Sequence, residues 1–321
     1  MKLSWHAFSA LSLLAAAGAA HAQTYPDKAV RVIVPFPAGG AADIVGRHVS
    51  RKLSEGLGAQ FVVDNRGGAG GAIGTEAVAR AAPDGYTLLM ASSSSMSINP
   101  HLAATQNYNP MTSFAPIMLI GYATNVLVAH PSVPARTVKE LIAIAKARPE
   151  SLSYASNGAG TLSHLTGELF MQRAGVKLLH VPYKGAAPAV IDTMAGQTSL
   201  LFAGLPSVAV QMKSGKLKAI AVTSAKRVTF VPELPTVAET LPGFESNQWW
   251  GMYGPAALPA PIVTKLNGEL NRIMRSDEMK QRLAADGAEP SWGTPAELTA
   301  YLKADFDRWG AVIKSAGVKA E

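Results

Sequence analysis

Apolar residues recur at two periods along this chain, and the switching between them lays out its elements. Val30-Arg-Val-Ile-Val34 is a short apolar run, the pattern of a buried strand. Pro35 and Pro37 end it, because neither offers an amide hydrogen to a ladder. After Gly39 and Gly40, Ala41, Val45, Val49 and Leu53 recur at four-residue spacing, and Leu57 extends the stripe to a stop at Gly56 and Gly58. The alternation then repeats: a strand over 61–64, a helix over 75–82, a Pro83-Asp-Gly85 turn, and a strand over 86–91 that runs into a polar loop over 92–100. Residues 30–91 thus read as half of a doubly wound α/β sheet, with the loops at the strand C-termini on one edge.

Residues 117–120 and 126–129 read as two crossover strands leading into a second unit. That unit opens on a capping box, Thr137 with Glu140, for a helix ending at Ala147. A strand over 152–155 follows, then the loop Ser156-Asn-Gly-Ala-Gly-Thr161 and a helix to Gly175 with Leu162, Leu165 and Leu169 on one face. Strands over 178–181, 199–203 and 218–223 follow, with a helix starting at Pro188. After Pro232 and Pro235 the pattern becomes helical, beginning at Pro261, near Ser276, and at Thr294-Pro295 with Glu297 closing a capping box. The last helix carries Leu298, Leu302, Phe306, Trp309 and Ile313 on one stripe and is expected to dock on the first unit. Trp249 and Trp250 stand beside small residues; core or hinge packing is expected of them, with ligand stacking as the alternative.

The chain's 321 residues suffice for two compact domains. Lys2, an apolar stretch over 7–20 and Ala20-His-Ala22 have the form of an export signal cleaved before Gln23, which implies a periplasm-like destination. With no cysteine anywhere, lipid anchoring through an N-terminal Cys, disulfides and thiolate metal sites are all excluded. The net charge of +7 is dispersed, with no basic stripe interleaved with aromatics. Nucleic acid is therefore not an expected partner, whereas a mild positive field helps gather small anions.

The chain offers two strand–glycine loop–helix units, one at 36–40 and one at 156–161. The first amides of a helix lack intrahelical partners and its dipole favours negative charge, so each unit is an anion site in outline. The plainer reading of either is turn geometry alone. Ser156, Asn157 and Thr161 add side-chain donors to the second loop, and His164 lies on the same helix face as Thr161, where a structural role is the commoner one. The glycine-dense stretch 65–74 fails the dinucleotide fingerprint: Gly68 and Gly70 fit, but the third position is Ile73. No H-E-x-x-H, Walker loop or nucleophile elbow occurs, and histidines 48, 101, 130, 164 and 180 show no close metal spacing. The pattern therefore points to binding without a cofactor or metal, and to no enzyme.

In order along the chain stand Val34-Pro-Phe-Pro-Ala-Gly-Gly40 with Asp43, Asn65-Arg-Gly-Gly-Ala-Gly-Gly71, Pro83-Asp-Gly-Tyr-Thr-Leu-Leu89, Asn99-Pro100, His180-Val-Pro-Tyr-Lys-Gly185, Ala221-Val-Thr-Ser224, Leu234-Pro-Thr-Val-Ala-Glu239 and a last helix with Trp309. Each is weak alone. As an ordered set they closely resemble the periplasmic substrate-binding receptors of the tripartite tricarboxylate transporter system, the Bug family, over essentially the whole chain after residue 22. The resemblance implies a two-lobed periplasmic binding protein of type II-like architecture, each lobe a doubly wound sheet flanked by helices. Lobe 1 would comprise residues 23–121 and 247–321, and lobe 2 residues 122–246. It also implies that the loops at 36–40 and 156–161 grip a ligand carboxylate. Two departures stand out. Gly67 replaces a proline common in the family, so a looser loop is expected there, and residues 102–109 lack the usual Leu-Pro-Tyr lead-in.

The expected function is capture of a small organic carboxylate, a dicarboxylate or an aromatic acid, and its delivery to membrane permease subunits by a monomeric receptor. Expected ligand contacts are Phe36, Ala38, Gly39, Gly40 and Asp43 from the first loop, and Ser156, Asn157, Gly158, Thr161 and His164 from the second. Ser92, Ser93 and Ser94 are expected to meet a second carboxylate, Phe36 with Phe202 to flank an aromatic ring, and Ala203 to contact the ligand at the start of a loop that sets specificity. A receptor acting on a membrane sensor kinase, or an exported hydrolase using one of Ser92 to Ser95, remain the alternatives.

Overall fold

The computed structural model describes residues 25–102, 107–228 and 231–316. The expected export signal and residues 103–106 of the segment after Asn99 lie outside them. In the strand β1 (Val30–Val34) every residue but Arg31 is buried, as a strand covered on both faces requires. It lies between β2 (Phe61–Asn65) and β3 (Thr87–Ser92), parallel to both. The helix α1 (Ala41–Leu57) makes the first crossover and stops where expected, at Gly58, whose left-handed φ of 71° returns its amide to the Ser54 carbonyl. α2 (Ala72–Ala79) starts and ends three residues earlier than the expected 75–82. Thr75 Oγ1 bonds back to the Gly71 carbonyl at 2.8 Å, so Thr75 sits inside the helix instead of capping it.

The two runs read as separate crossover strands form one strand, β4 (Phe114–Ala129). Gly121, between them, does not break it: a Cβ there would lie 2.3 Å from the Glu289 carbonyl oxygen, so glycine is what lets a neighbouring strand approach. Beyond β4 come α3 (Val138–Ala147), β5 (Ser153–Ser156), α4 (Leu162–Ala174), β6 (Leu179–Pro182), α5 (Ala186–Met194), β7 (Leu200–Gly204), α6 (Leu205–Lys213) and β8 (Lys218–Val222). The chain ends in β9 (Asn247–Pro255), α7 (Ala260–Arg275), α8 (Asp277–Ala285), β10 (Ala288–Pro290) and α9 (Pro295–Ala316). The strand order is β2-β1-β3-β9-β4-β7-β5-β6, with β10 and β8 also paired to β4.

β4 therefore serves two sheets. Residues 114–124 pair with β9, and residues 125–129 pair with β7 and β8. The return path crosses at the same level: Thr223 N–H donates to the Asn125 carbonyl, and Ser246 N–H donates to the Thr223 carbonyl. The result is a two-lobed α/β protein whose lobes are joined through extended strands. β9, antiparallel to β3, was not legible as a strand, because buried residues on both faces erase the period-two signal. Trp249 and Trp250 point to opposite faces of it, each into a core cluster of lobe 1, which removes the ligand-stacking alternative.

α9 reaches further than expected. Leu298 and Leu302 pack with Trp249 and Tyr253 of lobe 1, whereas Trp309 and Ile313 pack with Leu162 and Leu165 of α4. The supposed loop at 92–100 is a buried π-type turn, Ser94–Ile98, that runs into a helical turn, Asn99–Leu102. The four serines are small enough to pack there without side-chain bulk, which explains a polar run inside the protein. No loop follows β7 either, since the strand passes directly into α6.

Candidate functional site

The glycine loops of the two units face one another across a cleft. A narrow cavity there, of about 20 Å³, is lined from lobe 1 by Phe36, Pro37, Gly40, Ala41, Ala42 and Ser94. Lobe 2 contributes Asn157, Leu162, Ser163, Ala186 and Gly204, and the connecting strands contribute Asn125 and Gln248.

The first loop is braced from below. Asp43, 3 % exposed, accepts hydrogen bonds from the Gly39 amide at 2.9 Å, Arg47 Nε at 3.0 Å and Asn65 Nδ2 at 3.0 Å. The same Asn65 Nδ2 donates to the Phe36 carbonyl. Burial pushes the Asp43 carboxyl upward, but the bonds from Arg47, Gly39 and Asn65 outweigh it and hold the group below the ordinary carboxylate range. Asp43 is thus a positioning residue whose oxygens are turned into the loop and away from the cavity. Gly39, at φ 85°, and Ala38 sit at the exposed crest, and Gly40 with the first amides of α1 faces inward.

The second loop is braced from behind. Ser163 Oγ accepts from the Asn157 amide at 2.8 Å, and Ser156 Oγ accepts from the Gly158 amide at 3.2 Å. Thr161 Oγ1 donates to the Gly158 carbonyl at 2.7 Å, and His164 Nδ1 accepts from the Gly160 amide at 3.2 Å. His164 stacks on His180 at 4.2 Å, and His180 Nε2 meets Ser156 Oγ at 2.7 Å. Ser156, Thr161 and His164 therefore hold the loop in shape while Asn157 reaches the cavity. Gly158 lines the outer cleft with Pro37, Gly68 and Lys184.

This brace is sensitive to acid. Burial, then the neighbouring His164, pushes His180 down to about 4, so the ring is neutral near pH 7. Glu168 sits beside the pair, with Tyr154 donating to it at 2.7 Å; burial raises its carboxyl, but the bonds from His164 and Tyr154 hold it below the ordinary range. Between the folded and unfolded values of His180 the unfolded chain binds more protons. Stability is therefore full above about pH 6.5 and falls as the pH drops towards 4, and Glu168 acts in the same direction. The loss expected for a partly exposed ring is on the order of 1–2 kcal/mol. Scanning calorimetry at about pH 7.5 and about pH 4.5 should show a lower melting temperature in acid, and His180→Asn should shrink that difference; a pH-independent melting temperature would contradict it.

Several expected contacts are corrected. The Phe202 ring lies in the lobe 2 core, 5.7 Å from Phe170 and 6.1 Å from Tyr154, and does not line the cavity, and Ala203 is buried beside it in β7. Ser92 and Ser93 are fully buried and do not line the cavity. Of the four serines only Ser94 reaches it, where its Oγ accepts the Leu162 amide from the other lobe at 2.9 Å. Arg66 pairs with Asp64 at 2.9 Å. The Gly67 loop is not loose: Pro37 is wedged between Gly67 and Gly185, where added Cβ atoms would lie 2.7 Å and 2.9 Å from its ring.

Nine lining residues were not among the expected contacts: Pro37, Ala41, Ala42, Leu162 and Ser163 adjoin the two expected loops, whereas Asn125, Ala186, Gly204 and Gln248 come from elsewhere. Ala186 and Gly204 belong to α5 and α6, whose N-termini also open on the cavity. Asn125 is 2 % exposed, and its Nδ2 has no partner. Its only sequence signal was one amide side chain beginning an apolar run, and Gln248 carried none. No Lys, Arg, Asp or Glu lines the cavity, and among the described residues no cluster of His, Asp and Glu has the form of a metal site.

A sequence profile described as tripartite tricarboxylate transporter family receptor matches residues 45–318. Protein BugT of Bordetella pertussis (strain Tohama I) is 37% identical over 300 residues, covering 93% of this chain and 92% of its own. The solved structure of Rpa4515 of R. palustris with adipate has a TM-score of 0.91 at 36% identity, covering 92% of this chain and 100% of that one. MatC (Rpa3494) from Rhodopseudomonas palustris, with bound malate, has a TM-score of 0.86 at 29% identity, covering 90% of this chain and 100% of that one.

Proposed function

Since the chain belongs to the tripartite tricarboxylate transporter receptor family, we propose that it is an exported receptor that captures a small organic dicarboxylate between its lobes and delivers it to membrane permease subunits. The observation that carries this is the cavity itself: helix starts from both lobes line one space with no charged side chain in its wall. Relatives of the same fold hold adipate and malate, which are both dicarboxylates. The mechanism is closure about the paired strands near Asn125, Thr223 and Ser246, with lobe 1 as residues 23–121 and 247–321 and lobe 2 as residues 122–246. A ligand touching both lobes favours the closed form by its differential affinity for it. No covalent step is needed, and a monomer carrying one cleft suffices.

Isothermal calorimetry on the chain from Gln23, stripped of ligand by unfolding and refolding, tests the reading. Binding of at least one small dicarboxylate with a Kd of about 10 μM or tighter is expected, near −7 kcal/mol. Tighter binding of neutral sugars or divalent metal ions than of any carboxylate would refute it.

A further inference from the structure

A separate cavity lies behind the strands that join the lobes. Strand side chains alternate between faces, so where Asn125 and Gln248 turn towards the cleft, their neighbours Thr124 and Asn247, partners in the β4–β9 ladder, turn the other way. The cavity on that side, about 340 Å³, is lined by Tyr122 and Asn247 of the joining strands, by Glu289 and Tyr301 of lobe 1, and by Ser224 and Val228 of lobe 2. We infer that it is a binding site for a small organic cation of the alkylguanidinium kind, held between two tyrosine rings and the Glu289 carboxylate.

The polar groups of this wall offer acceptors and negative charge. Glu289, on β10 directly opposite Tyr122, has no hydrogen-bond or ion-pair partner for its carboxylate among the described residues. Asn247 Nδ2 donates to Glu245 at 2.9 Å. A carboxylate only accepts, so this bond fixes the amide and leaves Asn247 Oδ1 as an acceptor, buried and without a partner. No Lys, Arg or His lines the cavity, in a chain whose net charge is +7. Burial, then Asp305, push the Tyr301 hydroxyl above its ordinary range, and Glu245 adds to this. Arg308 opposes them but is tied to Asp305 at 2.6 Å. The local field is therefore negative although the chain as a whole is positive.

The aromatic walls narrow the class further. The Tyr122 and Tyr301 rings stand 6.4 Å apart between centroids, inclined at 37°, and an aromatic face attracts a cation. Both rings are held in place. The Tyr122 hydroxyl donates to Ser291 Oγ at 3.3 Å, and Tyr301 packs edge-on against Trp249 at 5.7 Å. A guanidinium is flat enough to stack on such a ring while its forked N–H groups reach a carboxylate. An anion would meet Glu289, and a neutral molecule would leave that charge unanswered. About 340 Å³ is within the range of small-molecule sites.

Isothermal calorimetry of the chain from Gln23 at low ionic strength, with butylguanidinium and with neutral butylurea, decides it. Butylguanidinium should bind with a Kd of about 1 mM or tighter. Butylurea, nearly the same shape without the charge, should bind at least ~10-fold more weakly. Glu289→Gln should weaken butylguanidinium at least about threefold. Glu289 is exposed, so the change disturbs no packed core. Glu233→Gln removes an exposed acid, unpaired among the described residues, from the rim of a different cavity and should change nothing. No binding of butylguanidinium, equal binding of butylurea, or equal weakening by the two variants overturns the inference. So does an arginine-containing peptide that binds more than ~10-fold tighter than butylguanidinium, since the site would then serve a protein partner. No carboxylate enters these titrations, so their failure leaves the receptor reading standing, and failure of that reading leaves this site standing.

Discussion

Replacing Ala186 by Phe is expected to weaken dicarboxylate binding at least ~100-fold, about 2.7 kcal/mol, while the unliganded protein melts within a few degrees of the parent. Ala186 is the first residue of α5 and is buried in the wall of the cleft opposite Gly40. A phenyl ring on that Cβ enters the space intended for the ligand and meets the α1 N-terminus before the lobes can close. In the cleft, added volume is accommodated by the lobes standing further apart and displaces no packed core, so the unliganded fold loses little. Two measurements separate this from general damage. Calorimetry reads the affinity, and small-angle scattering with a saturating dicarboxylate should show the parent contracting and the variant remaining open. Binding within tenfold of the parent would mean that the ligand sits somewhere other than between Gly40 and Ala186.

The expected failure of Ala186→Phe also shows which parts of the site a sequence can display. The loop at 36–40 was legible because its signals are local: prolines that end a strand, glycines that bare the backbone, and a helix stripe that begins at once. The loop at 156–161 was legible for the same reasons. α5 and α6 were not recognised as contributors, because α5 starts two residues before the proline read as its start and α6 was hidden by a strand running straight into a helix. Asn125 and Gln248 are contributed by strands that cross between sheets, and only the tertiary path shows that β4 and β9 pass the cavity. The serines at 92–95 misled for the converse reason. Their polarity suggested a solvated loop, but small hydroxyl side chains also fit a tightly packed turn, and only Ser94 points across the lobes. Side chains expected to touch the ligand, such as Asp43, Ser156 and His164, instead hold the backbone that lines or frames the cavity. A glycine loop has no side chains to hold itself, so its neighbours must supply the hydrogen bonds that fix it.

The same division of labour makes a residue remote from the cavity matter for stability. Asp305→Ala is expected to cost about 2–4 kcal/mol and to lower the melting temperature by about 5–10 °C. Asp305, 5 % exposed on α9, accepts from Trp249 Nε1 at 2.7 Å and from Arg308 at 2.6 Å. Removing the carboxylate strands a fully buried indole N–H and ends a charge-assisted bond in a low-dielectric setting. Arg308 is 40 % exposed and can be resolvated, so the Trp249 indole N–H dominates the loss. Asp305→Asn keeps an acceptor of the same shape and should recover at least half of the stability, which distinguishes a lost hydrogen bond from a lost charge. The effect should also reach the cleft. α9 carries Trp309 and Ile313 against Leu162 and Leu165, and Leu162 is the residue whose amide crosses to Ser94. A loosened α9 therefore leaves the start of α4 less fixed, and dicarboxylate affinity in Asp305→Ala should fall about three- to tenfold, well under 2 kcal/mol. Differential scanning and isothermal calorimetry on the same three proteins test both halves. A melting temperature within about 2 °C of the parent would mean that the Trp249–Asp305 bond does not anchor the helix. An unchanged affinity beside a large thermal loss would mean that α9 supports lobe 1 alone, despite packing on both.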